Sequence, residues 1–276
     1  MVIAHSFHTR MESMKHFLLF YVISATGDVL QFGCDKSNAV LNEGNVGENG
    51  ALPWLGVLRV HVHITGKDPR IGLTGILLVK ANYAISNADD VAKIPKYILR
   101  SDSKAMFIAT NNTPWYCGVK DLMLHPEYDV SNPNTIALIE LATNIYEAPN
   151  LNSICWPYQQ YNASSNLYAI GFTDENKLLE KVIYKMQFVN RNMCDEFYNK
   201  IGVPKEIYPR YQCGYATNNK NNCKWDNGMI LASNSTGHWT GIGFGIQGPG
   251  CSAPARFIEL YPYLSWIDSA TDEIPA

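Results

Sequence analysis

The sequence predicts an all-β protein, a barrel or a sandwich, on three observations. Short apolar runs recur along the chain, and Gly, Pro and Asn bound them. Part of the chain alternates apolar and polar residues with a period of two, which is the pattern of a half-buried strand. The length of 276 residues is enough to bury a full core, and all-β barrels of this size often form one unit. Composition excludes disorder, collagen and coiled coil.

The elements follow in order. Val60, Val62 and Ile64 alternate with Arg59, His61 and His63 before the turn Gly66-Lys67-Asp68-Pro69. Further strand-like runs are Ile76–Val79, Met106–Ala109, Ile136–Leu141, Leu167–Phe172, Val182–Val189, Met229–Ala232 and Ile242–Phe244. Two stretches read as helical: Met193–Lys200, and the segment around Tyr263–Ile267 near the end of the chain. Asn218–Asn222 is a loop, and the chain carries no internal repeat and no low-complexity linker.

With 22 basic and 25 acidic side chains the net charge is -3, which gives neither nucleic acid nor an anionic membrane surface anything to hold. Lys15 and His16 precede the apolar run Phe17–Ile23, which ends in Ser24, Ala25, Thr26 and Gly27. That order of basic, apolar and small residues predicts a secretory signal, with Met14 as an alternative start; a buried N-terminal strand is the competing interpretation. The run is too short to cross a bilayer, which takes about 20 apolar residues. A secreted, oxidised protein with paired cysteines is therefore expected. The seven cysteines leave one over.

Several segments, in order, resemble the trypsin/chymotrypsin-like serine proteases. They are Leu52-Pro53-Trp54, Thr74-Gly75-Ile76-Leu77-Leu78, Ala84–Asp89, His125–Asp129, Asn134–Leu138, Cys223-Lys224-Trp225-Asp226-Asn227-Gly228, Gly250-Cys251 and Tyr263–Ile267. The likeness covers roughly residues 41–268. It implies two six-stranded antiparallel β-barrels with a C-terminal α-helix. The implied layout is upstream residues and signal over 1–27, a propeptide-like leader over 28–44, the trypsin-like domain over 45–268 and a tail over 269–276.

The family needs a His base, an Asp that orients it and a Ser nucleophile, because serine attacks only once a base takes its proton. By resemblance those positions hold Asp89, Thr135 and Asn227. A carboxylate does not relay a proton near neutrality as imidazole does, Thr135 carries no charge, and Asn227 offers an amide instead of an attacking oxygen. Trp225 replaces a glycine of the oxyanion loop, so it is expected, together with Met229, to crowd the space a carbonyl oxygen enters. The specificity pocket is implied at Asn221, Gly243, Phe244, Gly245 and Ala255, without the charge that attracts a Lys or Arg. The family's activation start falls near Leu41-Asn42-Glu43-Gly44, with no basic residue just upstream, so Asp226 is expected to find donors other than a new amino terminus.

The resemblance also implies the bridges Cys34–Cys155, Cys194–Cys213 and Cys223–Cys251, with Thr74 and Asp90 standing where a fourth would flank the catalytic histidine. Cys117 is left, either as a buried thiol or as the link of a disulfide dimer. His61 and His63 share a strand face without a visible third ligand, so no metal and no cofactor is expected. Sequons at Asn162 and Asn234, and a weaker one at Asn111, are glycosylation candidates.

The expected function is that of an inactive protease homologue that binds a protein partner, an active protease or its zymogen, as a cofactor or decoy. Arthropod homologues of this type resemble cofactors in immune cascades, although a leader with one cysteine cannot form the disulfide-knotted clip domain those carry. The alternatives are an active endopeptidase with an unrecognised arrangement, or a carbohydrate- or small-ligand-binding module in the old pocket.

Overall fold

The computed structural model describes residues 34, 44–45, 52–62, 70–128, 136–144, 150–157, 166–173, 180–202, 211–217, 225, 228–235, 237–251 and 253–271. The signal-like segment and most of the leader lie outside these. Two closed six-stranded antiparallel barrels make up the body. The first is formed by β2 (Leu55–Val62), β3 (Arg70–Lys80), β4 (Tyr83–Asn87), β5 (Ser103–Ile108), β6 (Pro114–Leu124) and β7 (Ile136–Leu141). They close in the order β2-β3-β4-β7-β6-β5.

The second barrel uses β8 (Leu167–Thr173), β9 (Glu180–Phe188), β10 (Gln212–Ala216), β11 (Ile230–Ser233), β12 (Thr240–Gln247) and β13 (Ala255–Glu259). It closes because β8 pairs with β11 along one edge and with β9 along the other. A two-residue strand, β1 (Gly44–Asn45), lies along Ile183 and Val182 of β9. The seven further strand-like runs expected from the sequence each overlap a strand, with Ala109, Val189 and Met229 one residue outside, and Ile136–Leu141 has the same bounds. Among the described strands, antiparallel closure leaves no long unpaired edge in either barrel.

Period-two alternation explains how the second barrel fills itself. Leu167, Ala169, Val182, Tyr184, Met186, Ala216, Leu231, Ile242, Ala255 and Phe257 come from all six of its strands and touch one another. Residues of one closed sheet can do that only on its inner face. The intervening residues Ile170, Ile183, Ile230 and Ile258 join the larger core shared with the first barrel, as does Phe244, which a register shift in the β11–β12 pairing separates from Ile242. Trp54 and Trp239, both buried, meet across that shared core with ring centroids 5.9 Å apart.

Among the described residues four α-helices decorate the barrels: α1 (Ala88–Val91), α2 (Lys96–Asp102), α3 (Arg191–Lys200) and α4 (Leu264–Thr271). In α3 the Asn190 side chain accepts from the Asn192 N–H at 2.8 Å, which satisfies one of the otherwise unpaired first-turn donors. The helix stops at Gly202, whose φ of 77° is a conformation that favours glycine. The final helix docks through buried Ile267 and a 2.8 Å Lys80–Asp268 ion pair. His125 packs its ring against Tyr263 (5.1 Å) and Trp266 (4.9 Å). Burial there holds its pKa below the ordinary imidazole value, against a smaller opposite pull from Glu127.

Disulfides join Cys34 to Cys155 and Cys194 to Cys213. The first ties the leader to the segment between the barrels, where Cys34 also forms a parallel bridge with Ser153. The second ties α3 to β10 over a buried cluster: Arg256 lies 3.7 Å from the Tyr198 ring centroid and 4.8 Å from that of Tyr211, and the Tyr211 hydroxyl donates to Asp195. Cys251 is also disulfide-bonded, while Cys223 lies outside the described residues.

Candidate functional site

The residues of interest gather on the seam where the barrels face each other. Strand β4 ends at Asn87, which pairs with Ile136 of β7. The Asn87 side chain accepts from the Asp89 N–H at 3.1 Å, capping α1 and turning the chain out of the sheet. Asp89 and Asp90 then fall in the first turn of α1. Tyr128 donates its hydroxyl to Asp89 Oδ1 at 3.1 Å, and Thr74 donates to Asp90 Oδ2 at 2.8 Å. Thr74 and Asp90 are the two positions where the resemblance places a lost bridge, and a hydrogen bond joins them here.

Asp90 is exposed as a residue, but its carboxylate turns back toward Thr74 and Gly228. Desolvation therefore pushes its pKa above the ordinary carboxylate value; the Thr74 hydrogen bond opposes that rise and the charge of Asp89 adds to it.

The opposite wall comes from the second barrel. Gly228 takes φ 82°, a left-handed conformation open chiefly to glycine. Its N–H donates to the Gly245 carbonyl at 2.8 Å, and the Gly245 N–H donates to the Met229 carbonyl at 2.7 Å, so this loop is sewn to β12. Gly75 of β3 approaches it so closely that a Cβ there would sit 2.8 Å from the Gly228 carbonyl oxygen. The described neighbours of all three triad-like positions thus converge: Asp89 itself, Ile136 beside Thr135, and Gly228 beside Asn227. Thr135, Asn221, Asp226 and Asn227 lie outside the described residues.

Two side chains behave otherwise than the sequence suggested. Trp225 and Met229, expected to crowd the oxyanion space, turn into the second barrel's core instead. Met229 is 2% exposed and lies against Gly171, while the Trp225 ring reaches Tyr184 and Phe257. Both are large apolar groups beside an apolar interior, and burying them there removes more surface from water than any outward pose. The remaining pocket positions sit on two neighbouring strands: Gly243, Phe244 and Gly245 on β12, and Ala255 at the start of β13. Gly243 has no room for a side chain because the Ile258 carbonyl occupies that space.

Cys117 lies in β6, is 4% exposed and free, and its thiol donates to the Gly118 carbonyl at 3.2 Å. The disulfide dimer through Cys117 does not fit this placement, since the sulfur would have to leave a closed barrel to meet a partner. Asn111 is exposed, and its side chain accepts from the Thr113 hydroxyl and N–H; Asn234 is half-buried in a turn, and Asn162 lies outside the described residues. His61 is half-buried on β2. Among the described residues no cluster of three or more His, Cys, Asp or Glu could hold a metal, and no helix is long and apolar enough to cross a membrane.

Sequence reasoning missed Tyr128 as the partner of Asp89. The two lie 39 residues apart and no local spacing links them.

Two closed antiparallel barrels, a seam carrying the convergent residues and a C-terminal helix define the architecture of a chymotrypsin-like protease. The family model for trypsin matches residues 42–267, and the chain belongs to that family. It is 24% identical over 248 residues to the CLIP domain-containing serine protease B15 of Anopheles gambiae, covering 80% of this chain and 67% of that protein. Mannan-binding lectin serine protease 1 of Homo sapiens matches at 24% over 263 residues, 86% of this chain and 36% of that protein. Complement C1r subcomponent-like protein of Homo sapiens matches at 27% over 161 residues, 54% and 33% respectively. The chain thus spans about two thirds of the mosquito relative and about a third of each human one.

Proposed function

We propose that this chain is a secreted, proteolytically inactive member of the trypsin family that works by binding a protein partner. The observation that carries this is what stands at the seam. Where the family's base belongs by resemblance, there is a carboxylate, Asp89, engaged by the Tyr128 hydroxyl and followed by a second carboxylate tied to Thr74. Among the described residues, the groups that hydrogen-bond Asp89 and Asp90 are Tyr128, Asn87 and Thr74, and none is an imidazole. Serine-type acyl transfer needs a base that accepts a proton from the nucleophile and later returns it. Thr135 and Asn227 extend the same argument from the sequence.

What remains is a rigid pair of barrels whose loops can present a binding surface. An active protease, or its zymogen, in an extracellular cascade is the partner class we assign. The names of the relatives, two of them serine proteases and one complement-like, support that setting.

The test is an active-site serine probe. A fluorophosphonate leaves the purified protein unlabelled, and specific labelling that excess unlabelled inhibitor competes away overturns the reading. Immobilised protein should then retain a protease or zymogen from the source organism's secreted fluid. Binding on a glycan array with no protease retained would move the assignment to a carbohydrate-binding module.

A further inference from the structure

Trp225 does more than abolish a glycine. Its ring stacks on Tyr184 of β9 with centroids 6.2 Å apart and planes 19° from parallel. It meets Phe257 of β13 at 5.7 Å and 81°, an edge-to-face contact. Both geometries lie in the range aromatic pairs prefer. A third side is backbone: a Cβ on Gly250 would overlap the six-membered ring of the indole. Gly250 is held in place by its carbonyl, which accepts from the Ala216 N–H at 2.8 Å. Gly245 flanks the same Phe257 ring, at 3.6 Å from the point a Cβ would occupy.

One of these residues, Gly245 of β12, is also among those the resemblance assigns to the specificity pocket. The walls form a slot with an aromatic floor, an aromatic edge and a side-chain-free flank, which is the shape of a flat ring. Trp225 itself is only partly buried, so the slot opens to solvent at one end.

We propose that the Trp225 side chain is a built-in occupant of this slot, and that its ring keeps closed a site shaped for a flat, uncharged aromatic ligand. While the indole is in place, no side chain of a partner can enter. Removing the ring leaves an apolar cavity that cannot collapse fully, because β9, β10 and β13 are fixed by their barrel pairings. Free indole, the ring of tryptophan without its backbone, is the matching ligand.

The test is indole binding to the full-length protein and to Trp225→Ala. By calorimetry the variant binds indole at least tenfold more tightly than the unsubstituted protein. Saturating indole raises the variant's unfolding midpoint and leaves the other unchanged. A folded variant that binds indole no better overturns the proposal.

If Trp225→Ala does not fold, a double-mutant cycle with Trp225→Leu and Gly250→Ala decides. Gly250→Ala strains a backbone at φ 63° in either background, and that part cancels. Its cost is smaller in the Trp225→Leu background if the ring fills the slot, and equal costs overturn the proposal. Neither measurement involves catalysis, so failure here leaves the functional reading standing, and probe labelling would end that reading without bearing on the ring.

Discussion

The two barrels secure their loops by different physics. In the second, a disulfide between Cys194 and Cys213 clamps α3 to β10 above buried Tyr198, Tyr211 and Arg256. In the first, the turn that carries Asp89 is held by two side-chain hydrogen bonds, Thr74 to Asp90 and Tyr128 to Asp89. A disulfide acts largely by restricting the unfolded chain and is indifferent to pH in the neutral range. A hydrogen bond acts only in the folded state, contributes about 1 kcal/mol, and depends here on the protonation of a carboxyl. The loop at the seam is therefore the more weakly held of the two, which suits a surface that has to adapt to a partner.

The largest expected effect breaks the stronger tie. Cys194→Ala with Cys213→Ala should cost about 3 kcal/mol, the value for a closed loop of this size, seen as a fall in the urea midpoint. A cost below about 1 kcal/mol would mean that the Tyr198–Arg256–Tyr211 stack alone holds α3.

A smaller effect comes from converting the weaker tie into the stronger. Thr74→Cys with Asp90→Cys spans 16 residues and should oxidise spontaneously, since the two side chains already meet. The oxidised form should exceed its own reduced form by about 2 kcal/mol, read as the difference in midpoint with and without dithiothreitol. Two thiols that remain titratable in the folded protein would show that the backbones are too far apart for a bridge.

The smallest effect is electrostatic. Because burial raises the Asp90 pKa, the fold favours its neutral form over its charged one relative to the unfolded chain. Its contribution is complete below the unfolded value near pH 4 and is lost as pH rises through the raised folded value. Asp90→Asn removes that loss. Relative to the unsubstituted protein, its melting temperature should improve by about 1 °C between pH 3.5 and pH 7. A change of the opposite sign would mean that the Thr74 hydrogen bond outweighs desolvation.

Much of the scaffold was legible because strands announce themselves by apolar runs. Ile136–Leu141 is buried along almost its whole length and its bounds were read directly. Strand β6 escaped notice because it opens on a proline and its burial alternates irregularly past exposed Tyr116 and Lys120. Helix α2 has only Leu99 buried and Pro95 as a cap without a side-chain hydrogen bond, so neither an apolar stripe nor a start signal marks it. At the seam, Asp89 and Asp90 were legible as departures from a family pattern. Their partners Tyr128 and Thr74 were not, since each contact joins residues far apart in the chain.

The sequence alone determined the family, many of the strands and the residue types at the seam. Those follow from local periodicity and from motifs whose members lie close together. Only the tertiary structure decided where the odd groups point. Trp225 could have faced the seam or the barrel; the apolar interior offered by Tyr184, Phe257 and the bare flank of Gly250 settled the matter, because burying an indole outweighs leaving it in water.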